Sequence, residues 1–229
     1  MPYRRLPNTD TARYKAIETA VNKSFSFHPI ELPFSQKILL QLKSFLPTYK
    51  QALTIYKENV SQQKELSDLF HGNSKRLKLY VSHFIQVLNF AILRGEIKEK
   101  ARSYFGLSED ATNLPLFKTD EDLVKWTEIL INGEELRIRE GGLAMSNPKI
   151  ALVNIRYEDF KKTKNAYLVS KKSTKLAQEK VAKLRDKADE LILELWNDIE
   201  ANFSDGTADE RRAKCSDLGV KYVYRPSER

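Results

Sequence analysis

The polar side chains best placed by type and spacing for chemistry are Ser82, His83, Gln86 and Asn89, set in a stretch otherwise filled by apolar residues. Residues three and four apart share a helix face. An imidazole flanked by a hydroxyl and two carboxamides can therefore line a cavity between helices and hold a small ligand or take part in acid–base work. No carboxylate shares that face to tune the imidazole, and a lane of satisfied or solvated side chains accounts for the same four residues.

The other candidates are weaker. Asp68 and His71 make one Asp-x-x-His half of a helical metal site. Bundle metal centres pair such motifs on facing helices, and the chain's three histidines supply no second one. No metal or other cofactor is expected. Cys215 stands beside Arg211, Arg212 and Lys214, whose charge favours a thiolate, but on a short helix under Leu218 it reads as an inert packing group. Glu190, Glu194 and Asp198 are spaced four apart, as on a solvated ridge. There is no Gly-rich phosphate loop, dinucleotide fingerprint or serine nucleophile elbow. The chain reads as non-enzymatic.

Charge is the feature that reaches outward. The formal net charge is +8, and from 148 to 187 Lys and Arg outnumber Asp and Glu twelve to four. Lys161, Lys162, Lys171, Lys172 and Lys175 are the residues with which this segment would grip a phosphate backbone without regard to base sequence. Against that, the lysines spread over several helix positions, and stacking aromatics are absent from the lysine-rich middle apart from Tyr167. Long lysine stems around a helix seam are commonly solubilising.

The element that must carry those lysines runs from 148 to 203, with no Gly or Pro between Pro148 and Gly206. Asn147 is the expected N-cap and Pro148 the expected first helical residue. Phe160, Tyr167, Thr174, Val181, Ala188 and Leu195 form one seven-residue ladder, with Thr163, Ser170, Ala177, Leu184 and Leu191 beside it, a coiled-coil-like seam. Small and polar residues weaken it near 171–174. Unbroken, this helix is about 80 Å long at about 1.5 Å per residue.

Ahead of it, the pattern predicts a short helix from Asn8 or Thr9 to about Lys23, buried through Ala12, Ala16 or Ile17, Ala20 and Val21. An apolar linker of Phe25, Phe27, Ile30, Leu32 and Phe34 must then lie against the bundle. A second helix is expected over 35–71, kinked or broken before Pro47, with Gly72 and Asn73 making a tight reversal. The third, over 74–93, counts Leu77, Leu79, Tyr80, Val81, Phe84, Ile85, Val87, Leu88, Phe90, Ala91 and Ile92 as a central, nearly all-apolar helix. A short helical piece over 96–105 precedes a loop through Pro115. Thr119 with Asp122 starts a fourth helix that ends at Gly141 and Gly142 and pairs antiparallel with the long one. Gly133 inside it implies a close neighbour, and Trp126 and Trp196 read as anchors joining the last two helices. Beyond Gly206, Thr207 with Glu210 caps a short helix, and the strand-like 220–224, ahead of Pro226, needs a partner: the 2–6 arm or another subunit.

The expected fold is therefore all-α: an elongated, unequal four-helix bundle with one very long C-terminal helix, a short N-terminal helix and a small C-terminal helix plus strand-like tail. Its parts are an arm, short helix and apolar linker over 1–34, the bundle over 35–205 and an appendage over 206–229, making one domain. The single cysteine cannot form an internal disulfide and no stretch is apolar and long enough to span a bilayer, so a cytoplasmic, soluble protein is expected. The leading functional reading is association with a protein partner or a second copy through the long helix or the 220–224 tail. Nucleic-acid binding through the five lysines is the first alternative, and a ligand carrier or enzyme with a cavity near His83 the second.

Overall fold

A computed structural model describes residues 2–108 and 113–224; Pro226 lies outside them. The fold is all-α, with a single two-stranded sheet among the described residues. In order come β1 (Tyr3–Arg4), α1 (Asp10–Ser24), α2 (Gln36–Leu93), a 3-10 helix (Glu99–Phe105), α3 (Asp120–Arg139), α4 (Ile150–Asn202), α5 (Ala208–Asp217) and β2 (Tyr222–Val223). The chain forms two compact units, Met1–Val60 with Ser173–Arg229, and Ser61–Lys172. The long helices α2 and α4 contribute to both.

In the first unit α1 starts where Thr9 accepts a hydrogen bond from the Ala12 N–H, and buries Ala16, Ile17, Ala20 and Val21. It joins Leu42, Tyr49, Ala52, Val181, Ala188, Leu195 and Trp196 in one core. Its polar side is held by interlocking forks. Arg185 donates to both oxygens of Asp10 at 2.8 Å, Arg13 donates to both oxygens of Asp189 at 2.7 and 2.9 Å, and the buried Tyr49 hydroxyl donates to Asp10 at 3.2 Å. Bidentate guanidinium–carboxylate pairs fix geometry as well as charge, so α1 is keyed to one register on α2 and α4. α2 itself begins where the Ser35 N–H donates to Asp198 at 3.1 Å; one member of the supposed acidic ridge is thus a helix-start ligand. Of the apolar linker, Phe34 is buried and Phe27 and Leu32 pack on the core, whereas Phe25 and Ile30 face solvent, with the Lys43 ammonium over the Phe25 ring.

β2 finds its partner in the N-terminal arm. Tyr3 pairs with Val223 and Arg4 with Tyr222, antiparallel. Both residues of the second pair reach the same carboxylate on α4: Arg4 donates to Glu200 at 2.8 Å and the Tyr222 hydroxyl at 2.6 Å.

In the second unit, α2, α3 and α4 enclose Phe70, Leu77, Val81, Phe84, Leu88, Phe105, Leu123, Leu130, Val153 and Phe160. α3 opens with the expected Thr119–Asp122 capping box and runs antiparallel to α4: Asp120 and Glu121 bind Lys164 near its start, and Glu128 accepts from the Tyr157 hydroxyl one helical stretch later. Gly133 is required by contact, since a Cβ there would lie 2.3 Å from the Tyr104 carbonyl oxygen at the end of the 3-10 helix. Trp126 packs on this core while Trp196 belongs to that of the first unit, so the two do not anchor one junction.

Two expected boundaries differ. α4 starts at Ile150, with Asn147 and Pro148 in a turn ahead of it. The preceding strand of chain is tied to α3 at Leu143 and Met145, and Pro148 is used as a buried turn residue there. More consequentially, the helices expected over 35–71 and 74–93 are one 58-residue helix, with Pro47 inside it and no reversal at Gly72 and Asn73. Pro47 is solvent-exposed, so the carbonyl it leaves without an N–H partner can be hydrated. At Gly72 a helix interior costs only about 1 kcal/mol relative to alanine. That is outweighed by an apolar row that keeps its phase across the glycine: Phe70, Ser74, Leu77, Val81, Phe84, Leu88 and Ala91 are all buried at spacings of three or four.

Two glycine substitutions should separate these roles in urea denaturation. Gly72→Ala, with nothing within 4 Å of the added Cβ, is expected to stabilise the protein by up to about 1 kcal/mol; a turn glycine there would give a loss. Gly133→Ala is expected to cost about 1–3 kcal/mol through overpacking. A third test uses pH. The Arg185 guanidinium holds the Asp10 carboxyl below its ordinary value of 3.8. A group depressed in the folded state contributes stability that is full above its unfolded pKa and lost as pH falls through the folded one. Stability should therefore drop as pH goes below about 4, and Asp10→Asn, less stable at neutral pH, should show a shallower acid limb.

Candidate interaction surface

The four side chains of the polar lane separate on α2. Ser82 and Asn89 are seven residues apart and half-buried at one margin, whereas His83 and Gln86 are exposed. The lane follows the outside of the helix and does not close around a common point.

His83 and Gln86 instead belong to a row that composition alone concealed. Leu69, Gly72, Arg76, Leu79, His83, Gln86, Phe90 and Leu93 follow one another at alternating spacings of three and four, and every one is exposed. Leu79 and Phe90, expected in the core, are 65% and 55% exposed, and Leu69 and Leu93 are 58% and 82% exposed. Their exposure has a geometric cause. At about 100° per residue, Leu79 and Phe90 fall on the side of α2 opposite Leu77, Val81, Phe84 and Leu88, which already fill the interior. The readable signal was the 3-4 alternation itself: two interleaved apolar rows in place of one apolar helix.

Between exposed Asp68 at one end and Glu96 at the other, the charge on this stretch of α2 is of one sign. From 69 to 95 the chain has no Asp or Glu. Lys75 and Arg76 are exposed and Lys78 half-buried, and among the described residues none of the three makes an ion pair. Arg94, at the far end, is occupied by Glu96 at 2.5 and 2.9 Å.

The lysines of α4 are placed differently. Lys161 is half-buried, bound to Glu158 at 2.7 Å with its ammonium 4.5 Å from the centre of the Tyr157 ring. Lys162, Lys171, Lys172 and Lys175 are exposed. Lys162 and Lys171, nine residues apart, fall on opposite sides of the helix at about 100° per residue, so no single stripe contains them.

Glu134 and Arg137 form the most buried ion pair among the described residues of the second unit. Glu134 is fully buried and grips Arg137 at 2.8 and 3.0 Å. The remaining capacity of Glu134 accepts the Met145 N–H at 2.7 Å, and Arg137 donates to the Leu143 carbonyl. Every contact goes to the chain's own loop, so the pair acts as a clamp on the path from α3 to α4. Cys215 is 2% exposed, and burial pushes its thiol up, the opposite of an activated nucleophile. Burial, followed by the hydrogen bond to Glu128, likewise raises the Tyr157 phenol, leaving it a protonated donor. Among the described residues no group of three or more His, Cys, Asp or Glu is arranged to hold a metal ion, and no helix is long and apolar enough to cross a membrane.

Comparison with protein-family models, curated proteins and solved structures finds no match to this chain.

Neighbouring leucines test the two faces of α2. Leu77→Ala should cost about 2–5 kcal/mol by opening a cavity, whereas Leu79→Ala should change stability by less than about 0.5 kcal/mol. Equal losses in thermal or urea unfolding would contradict the assignment of Leu79 to the surface.

Proposed function

We propose that this is a non-enzymatic helical-bundle protein that acts by associating with another protein, and that the outer face of α2 is a contact surface. The observation that carries this reading is the exposed row from Leu69 to Leu93, in which four large apolar side chains share one helix line. Scattered apolar groups on a surface mean little, but Leu69, Leu79 and the Phe90–Leu93 pair recur along one line of α2, the anchor spacing by which helices are recognised, with polar residues between them. The spacing supports a coiled-coil-like mode, because alternating steps of three and four are what a second helix packs against. On α4 the same spacing fills the inner seam, from Phe160 and Tyr167 in the second unit to Val181, Ala188 and Leu195 in the first.

The 220–224 tail is a less favoured contact, since its strand takes the 2–6 arm as its partner. Nucleic-acid binding by the basic α4 is also less favoured, given the dispersal of its lysines. The buried cysteine fits a cytoplasmic setting, which this reading assumes.

Photo-crosslinking tests the proposal. A photoreactive amino acid introduced at position 79 or 90 should give discrete protein adducts in source cells, and one at exposed Glu135 on α3 should not. Absence of adducts from every position, together with labelled DNA or RNA retained at physiological salt and released by Lys171→Glu, Lys172→Glu and Lys175→Glu, would replace the association reading with nucleic-acid binding.

A further inference from the structure

We infer that the outer face of α2 receives an acidic amphipathic α-helix from another protein, an inference that rests on the association reading and names its partner class. The row from Leu69 to Leu93 spans about 36 Å at about 1.5 Å per residue, long enough for several heptads of helix–helix contact. Its alternation is that of the a and d positions of a heptad, with Leu69, Leu79, Phe90 and Leu93 as the apolar members and Arg76, His83 and Gln86 as polar ones. Arg76, His83 and Gln86 make three of the eight positions polar, which lowers affinity and restricts register and partner choice.

Charge selects the occupant. The face offers Lys75, Arg76 and Lys78 without a carboxylate between 69 and 95. A second copy laid on the same face in parallel would set basic side chains against basic side chains, and in antiparallel would set them against Gln86 and Val87; neither arrangement brings a carboxylate of the row to meet them. A membrane surface would meet the basic flank well, but would have to take Arg76, His83 and Gln86 toward the acyl region along with the leucines, and burying unpaired polar groups is costly. A helix carrying Leu on its seam and Glu on its flanks satisfies both sets of groups: leucines cover the apolar row, and carboxylates reach the lysines and Arg76.

The test uses a fluorescein-labelled four-heptad peptide with Leu at a and d and Glu at e and g, whose like charges keep it from pairing with itself. Its partner control carries Lys at e and g. Fluorescence anisotropy with the full chain should show the Glu peptide binding at least about tenfold more tightly than the Lys peptide, with affinity falling as salt is raised. Leu79→Glu with Phe90→Glu should weaken the Glu peptide by more than about tenfold, while circular dichroism and melting temperature stay those of the parent, as expected for two exposed positions. Equal affinity for both peptides, no binding, or binding indifferent to the double substitution would overturn the inference. So would a Leu79-dependent dimer mass in light scattering without peptide, or Leu79-dependent binding to vesicles of phosphatidylcholine and phosphatidylserine. Adducts from position 79 alongside a failed peptide would retire the acidic helix and keep the association reading; absence of adducts at any position would retire the reading itself.

Discussion

A helix keeps only one face inside, and the unbroken run of α2 through Gly72 and Asn73 decides which residues that face contains. Because 3.6 residues make a turn, Phe70, Leu77, Val81, Phe84 and Leu88 point to one core. The same rotation commits Leu69, Leu79, Phe90 and Leu93 to the opposite side. A reversal at Gly72 would reset the phase, and the residues downstream would be free to choose another interior. With the helix continuous, the apolar content of 69–93 exceeds what one interior can absorb, and the surplus is displayed.

Around that constraint the remaining elements are positioned by directional contacts. In the second unit Glu134 and Arg137 fold the chain after Gly142 back onto α3 and so set the path into α4. A buried ion pair of this kind is a device for geometry more than for net stability, since desolvating both charges offsets most of their attraction. The close approach of the 3-10 helix to Gly133 adds a steric key on the same helix. In the first unit the Asp10, Arg13, Arg185 and Asp189 forks register α1, and Glu200 ties both strands of the small sheet to α4. Among the described residues, these ion pairs do not include Lys75, Arg76 or Lys78 on the flank of α2.

What was legible in the sequence was whatever local chemistry controls. The capping boxes at Thr119 and Thr207, the helix stop at Gly141 and the seven-residue seam of α4 need only neighbours within a turn or two. The glycine–asparagine pair at 72–73 misled because turn chemistry is a local preference worth about 1 kcal/mol, while the row that overrides it becomes visible only when buried positions are followed in phase from Phe70 to Ala91. Leu79 and Phe90 misled for a related reason: residue type marks a side chain as apolar, but only its angle on the helix says which side it takes. The Glu134–Arg137 clamp had no sequence signal, since its acceptors and donors at Leu143 and Met145 are backbone groups brought round by a loop. Backbone hydrogen bonding does not identify its own complement, so residue types at 220–224 admit either the N-terminal arm or another subunit as the partner of β2. The orientation of the polar lane is not legible from residue type: His83 and Gln86 lie in the exposed outer row of α2.

The functional account follows from orientation more than from any reactive group, and so it stands on the continuity of α2. The most direct measurement is the distance between spin labels at Glu65 and Gln86, both exposed and both in the second unit, in a chain with Cys215 replaced by alanine. A continuous helix sets their backbones about 32 Å apart at about 1.5 Å per residue, and a distribution centred near that separation is the predicted result. A reversal at Gly72 would bring the same positions within about 15 Å, given helix axes about 10 Å apart, and that result would contradict the two-faced helix on which the proposed surface depends.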